Sequence, residues 1–156
     1  MRLTEYSHRG GCSSESALSA TRIALENHTI SDDKYRIGIM ASLRSVGWSG
    51  ERKILRESKL KISGELMNTG LVLWFGNMHS IHEYIMTLEL LHFRNEINSG
   101  IIVTASKDEA IRRFFRNKPE QGTSTGNYSE IETLITHLES LTDIINIPLT
   151  VIGVGE

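Results

Sequence analysis

Cysteine is almost missing from this chain: Cys12 stands alone among 156 residues. A single thiol excludes an intrachain disulfide and any zinc site built on several thiolates. Long apolar runs are missing as well. None approaches the ~20 residues that a membrane-crossing helix requires. The opening MRLTEYSHRGG also lacks the apolar segment of a secretory signal. The expectation is a soluble, cytoplasmic protein with no membrane contact. Positive charge is absent from one end: from Pro119 onward there is no Lys or Arg, while Glu120, Glu130, Glu132, Glu139, Asp143 and Glu156 are acidic.

The positive charge gathers elsewhere. Between Lys34 and Lys61 lie Lys34, Arg36, Arg44, Arg52, Lys53, Arg56, Lys59 and Lys61, against Glu51 and Glu57 only. A chain of net charge −2 can therefore still present a polyanion-facing side. A basic stretch of this kind reads first as solvated surface. The 39% hydrophobic content suffices for one core, so residues 1–156 are read as one domain.

The apolar spacing sets the expected elements. Arg2–Tyr6 fits a short strand. Ser13 or Ser14 caps a helix with Leu18, Ile23 and Ala24 on one face. Ser31-Asp32-Asp33 caps a second helix that buries Ile37, Met40, Ala41 and either Leu43 or the aliphatic stem of Arg44, and Gly47 ends it in a left-handed cap before Trp48. Lys53–Leu66 reads as extended, with Ile54, Leu60, Ile62 and Leu66 on one face. An Asn68-Thr69-Gly70 turn joins it to the apolar run Leu71–Phe75 in a hairpin expected at the sheet's centre. Ile81, Tyr84, Ile85, Leu88, Leu91 and His92 recur at helical spacing. Ile101–Thr104 is a buried strand, Ser106 caps a helix over 107–115, and 116–127 is a polar loop. Tyr128–Leu141 is an amphipathic helix with Ile131, Leu134, Ile135, Leu138 and Leu141 inward. Ile147–Val154 is a last strand, with Pro148 near its start, where a missing N–H is tolerated. This order gives an α/β fold with a central mixed sheet flanked by helices.

Chemistry-bearing groups are sparse. His79 and His82, at i and i+3 with Glu83 beside them, can share a helix face, but no third ligand completes a metal site. Cys12 has no assigned histidine base. The loop GTSTGN at 122–127 lacks the Lys of a phosphate-binding P-loop. Glu65 lies on the hairpin, and Glu83 and Glu89 on the following helix. Carboxylates converging at the end of a sheet can hold Mg²⁺; taken singly, each of these is an ordinary exposed glutamate.

Several stretches together resemble the BglII/BstYI family of type II restriction endonucleases. The start MRLTEYSHRGG is similar to the family's N-terminal strand and Tyr-Ser-His turn. SVGW at 45–48 is similar to its helix ending in Gly-Trp. LVLWFGN at 71–77 stands where its active-site strand would be, and LELLHFRNEINSGIIV at 88–103 resembles the following helix and strand. The end, YSEIETLITHLESLTDIINIPLTVIGVGE, resembles its last helix and strand. The resemblance implies a restriction-endonuclease-like fold of the PD-(D/E)XK type and Mg²⁺-dependent hydrolysis of double-stranded DNA by a homodimer. It also implies a Glu-x-Gln-Phe-Gly strand. Aligning on Phe75-Gly76 puts Val72 at the Glu and Trp74 at the Gln. The first-strand acid falls at Ser63, or at Glu65 if the register shifts by two. The frame is present and its chemistry is degenerate, so cleavage is expected to be impaired.

Two alternatives stand beside this reading. One is an active endonuclease with relocated carboxylates, Glu65 holding the metal with Glu83 or Glu89. The other is a non-catalytic dimeric regulatory or structural protein that kept only the fold. DNA, where bound, is expected on Arg52, Lys53, Arg56, Lys59 and Lys61, with help from Arg112, Arg113 and Arg116.

Overall fold

The computed structural model describes residues 2–28, 35–57, 59–75, 80–107 and 130–155. The elements in chain order are β1 (Arg2–His8), α1 (Glu15–Glu26), α2 (Tyr35–Ser45), β2 (Arg52–Lys53), β3 (Lys61–Ile62), β4 (Gly64–Leu66), β5 (Thr69–Leu73), α3 (Ile81–Phe93), β6 (Ser99–Ala105), α4 (Ile131–Ser140) and β7 (Leu149–Gly155).

Five strands form a mixed sheet in the order β1-β7-β6-β5-β4. β5, β6 and β7 run parallel, and β1 and β4 close the two edges antiparallel. The three parallel strands advance in one direction, and crossovers in parallel sheets are right-handed. Both crossover helices therefore belong on one face. Val72, Trp74, Ile102, Leu149 and Val151 point to that face, where they pack with Ile81, Ile85, Leu88 and Leu91 of α3 and Ile131, Leu134 and Leu138 of α4. The alternate residues Leu71, Leu73, Ile101, Val103, Ile152 and Val154 meet α1, α2 and Trp48 on the other face. β5, β6 and β7 are buried along their whole length. That is why they read as continuous apolar runs and not as alternating ones.

Glycine sets how closely the helices approach. A Cβ on Gly70 would lie 2.8 Å from Leu88 Cδ2, and one on Gly100 3.1 Å from Leu88 Cδ1. The missing side chains let α3 settle directly on the sheet. Gly47 adopts φ +107, and Trp48 N–H reaches back to Leu43 O. This left-handed exit turns Trp48 inward, where its ring N–H donates to Thr21 Oγ1 at 3.1 Å. Ser14 caps α1 by accepting from Ala17 N–H.

The structure departs from the sequence expectations in four places. The stretch 53–66 is not one strand. It breaks into β2, β3 and β4, and β2 pairs with β3 in a separate two-stranded ribbon. The hairpin turn is Met67-Asn68, at φ 48 and 56, so Thr69 and Gly70 are paired strand residues. Two successive left-handed residues make the tight turn whose twist matches the flanking strands. The hairpin lies at the sheet's edge, and β6 occupies the centre. Ile23 and Ile37 are exposed, because α1 buries Ala17, Leu18, Thr21, Ala24 and Leu25, and α2 turns Ile39 and Leu43 inward while Ala41 faces out. The expected Ser31-Asp32-Asp33 cap, most of the 107–115 helix and the 116–127 loop lie outside the described residues.

Candidate functional site

The β4–β5 hairpin and the strands before it carry the positions singled out in the sequence. Gly64 pairs with Leu71, so Ser63 stands opposite Val72. Ser63 is buried, and its backbone N–H donates to Leu71 O at 2.8 Å. Its hydroxyl accepts from Leu73 N–H at 2.9 Å. This serine is thus occupied in satisfying strand backbone where the sheet edge becomes irregular. Val72 is 0% exposed and Trp74 1% exposed. Both belong to one apolar cluster with Ile62, Ile81 and Ile85. An alkyl group and an indole at these two places provide no oxygen ligand.

Glu65 follows on β4, two residues beyond Ser63, and pairs with Gly70. Its carboxylate meets Arg52 Nη2 at 3.2 Å, and the same nitrogen donates to Glu96 Oε2 at 3.0 Å. Arg52 therefore bridges the edge strand to the turn after α3. Its Nε is buried without a hydrogen-bond partner among the described residues. Glu96 was not foreseen. It lies 44 residues from Arg52, and no local pattern links them.

The structure does not gather Glu65, Glu83 and Glu89. Glu83 is exposed in the first turn of α3. Glu89 Oε2 accepts from the backbone N–H groups of Asn146 and Ile147, at 3.0 and 2.9 Å. It caps the turn leading into β7. Among the described residues no group of three or more His, Cys, Asp or Glu side chains could hold a metal ion. Mg²⁺ asks for several oxygen ligands in near-octahedral array. The hairpin offers one carboxylate, already paired with a guanidinium, and one hydroxyl, already accepting a backbone N–H. These residues do not fit the ion.

The basic residues fall into two groups. Arg52 is tied as above, and Lys61 pairs with Glu51 at 2.9 Å. Lys53, Arg56 and Lys59 are exposed on the β2–β3 ribbon and its connecting loop. Lys53 lies directly across from Lys61. Like charges in cross-strand register repel, and the Glu51 carboxylate offsets this on the Lys61 side. Arg112, Arg113 and Arg116 lie outside the described residues, as does His79.

The remaining candidates have structural partners. His82 packs edge-on against His137, with ring centroids 5.3 Å apart, joining α3 to α4. Cys12 Sγ has Ser14 O, Thr69 Oγ1 and Ser99 Oγ around it and no histidine among those partners.

No protein-family model matches this chain, and no curated protein matches it. Among solved structures it is similar to the crystal structure of restriction endonuclease BGLII complexed with a DNA 16-mer. The TM-score is 0.79 at 14% identity, covering 100% of this chain and 79% of that one. A likeness at this identity establishes the fold: a restriction-endonuclease-like mixed sheet with flanking helices.

Proposed function

We propose that this chain is a restriction-endonuclease-like protein that binds double-stranded DNA and whose cleavage chemistry is impaired. The observation that carries the reading is the pair Val72 and Trp74. They stand where the family resemblance puts the metal ligands of the hairpin, and both are buried in an apolar cluster. A carboxylate can bind Mg²⁺ and orient water only where it has polar surroundings and a second oxygen ligand nearby. DNA binding draws on the endonuclease fold and on the exposed Lys53, Arg56 and Lys59. The protein acts as a homodimer, since a two-fold assembly matches a palindromic duplex.

Binding and cleavage are tested separately. Fluorescence anisotropy with mixed-sequence duplex is expected to show affinity falling steeply with salt, by a log–log slope of about 0.9 per phosphate contacted. Lys53→Ala/Arg56→Ala/Lys59→Ala should lower both affinity and slope. Unchanged binding in that variant would mark the ribbon as solvated surface. Digestion with Mg²⁺ or Mn²⁺ at high protein concentration should yield no discrete fragments. Fragments that disappear in Glu65→Ala would overturn the impaired reading in favour of relocated carboxylates.

A further inference from the structure

We propose that His82 of α3 and His137 of α4 form a two-imidazole site for a transition-metal dication of the zinc class, which on binding ties the two helices together. The site lies apart from the hairpin and does not rest on the DNA reading.

The packing of the two helices creates the pair. Ile81 and Ile85 of α3 belong to one buried apolar cluster with Leu134 and Leu138 of α4. His82 follows Ile81 in the first turn of α3, and His137 precedes Leu138 in the last turn of α4. The seam that buries those aliphatic groups thus brings the two imidazoles together at its rim. His82 is exposed and His137 half-buried. Their ring centroids are 5.3 Å apart, with the planes at 86°. The sequence offered His82 a ligand partner on its own helix. The fold supplies one from a different helix, far along the chain.

The ring nitrogens of this pair are uncommitted. The other described histidines each spend one on a fixed partner. His8 Nε2 meets Ile145 O at 3.3 Å, His28 Nδ1 meets Ser42 Oγ at 3.3 Å and His92 Nδ1 meets Ile97 O at 3.1 Å. Among the described residues, the rings of His82 and His137 have only each other. Edge-on packing uses none of their nitrogens, so all four remain available.

The separation suits one shared ion. A zinc-class metal lies about 2.0–2.1 Å from an imidazole nitrogen, hence about 3.2 Å from the ring centre; two such rings at a tetrahedral angle have centres about 5.2 Å apart. The observed 5.3 Å matches. The terminal torsion of a histidine is broad and soft, and exposed His82 can turn its nitrogen towards a common point with little cost. Imidazole suits zinc, copper and nickel, whereas Mg²⁺ takes oxygen. Each ring binds only when neutral, which holds for ordinary histidines above ~pH 7. Among the described residues no third His, Cys, Asp or Glu joins the pair. Water fills the remaining positions, so the ion exchanges, unlike one in a closed four-ligand structural site.

The test is calorimetric titration of the full chain with Zn²⁺ alone, without nucleic acid and slightly above neutral pH, alongside thermal unfolding. The wild type should bind one Zn²⁺ per chain, and its Tm should rise with Zn²⁺ concentration. His82→Gln and His137→Gln should each lower the affinity at least about 10-fold, since even groups that merely support a ligand contribute 10–100-fold, and each should abolish the Tm rise. His92→Gln should bind as wild type does. His82→Gln changes an exposed position, so its metal-free Tm should stay at the wild-type value and its lost binding cannot be laid to unfolding. No Zn²⁺ binding by the wild type would overturn the proposal. So would binding that survives in either variant of the pair, or a site that takes Mg²⁺ in preference to Zn²⁺.

Discussion

The Ser63 hydroxyl accepts the backbone N–H of Leu73 across the hairpin at 2.9 Å. That contact ties the end of β5 to the residue preceding β4. A buried N–H at the end of β5 needs an acceptor, and a small hydroxyl supplies one without carrying a charge into the apolar cluster beside it.

Ser63→Ala should leave that N–H unsatisfied and destabilise the fold by about 1–3 kcal/mol. Urea denaturation monitored by tryptophan fluorescence checks it. An unchanged midpoint would mean that the contact contributes nothing net.

Val72→Glu should be more damaging than Val72→Ala. The alanine variant costs roughly the lost burial and a small cavity. The glutamate adds an unpaired carboxyl at a fully buried position, which stays protonated near neutral pH or unfolds the region. The combination Ser63→Asp/Val72→Glu/Trp74→Gln is accordingly expected to be less stable than wild type. Cleavage recovered in that variant with Mg²⁺ would show that the endonuclease frame still positions the ion.

Arg52→Ala should have a modest effect on stability, on the order of 1 kcal/mol or less, because its two ion pairs are partly solvated. It should also lower the affinity for DNA less than Lys53→Ala does, since Arg52 is already neutralised by Glu65 and Glu96. Measuring both variants by anisotropy decides it. A larger loss with Arg52→Ala would mean that the guanidinium leaves its carboxylates for phosphate.

A pH dependence follows from β1. Arg22 donates to both oxygens of Glu5, at 2.7 and 2.8 Å. This hydrogen bonding, aided by the charge, holds the Glu5 carboxyl below its ordinary range against the opposing effect of burial. A depressed carboxylate stabilises the fold above its unfolded-state value, and that stability disappears as pH falls through the folded one. Wild type should therefore exceed Glu5→Gln in Tm at neutral pH, by a small margin for a partly exposed pair. The gap should close on acidification below the ordinary carboxylate range. A gap that is constant with pH would assign the difference to packing.

The sequence by itself determined the elements that periodicity encodes. The β5–α3–β6 and α4–β7 units, their buried faces and the Gly47–Trp48 exit follow from apolar spacing, a glycine at a left-handed position and the burial of parallel strands. That Val72 and Trp74 cannot ligate a metal was legible too: an alkyl group and an indole carry no oxygen ligand wherever the strand lies. Only the tertiary structure decided which charged groups meet. Arg52 joins Glu65 and Glu96, Glu89 is spent on Asn146 and Ile147, and Ser63 turns to Leu73. It also decided that β4 lies at an edge and that Ile23, Ile37 and Phe93 face outward. Backbone periodicity is a local property, repeated every two or 3.6 residues and readable in a short window. A carboxylate's partner is set by strand order and helix approach, which bring together residues tens of positions apart and leave no trace in the spacing of either.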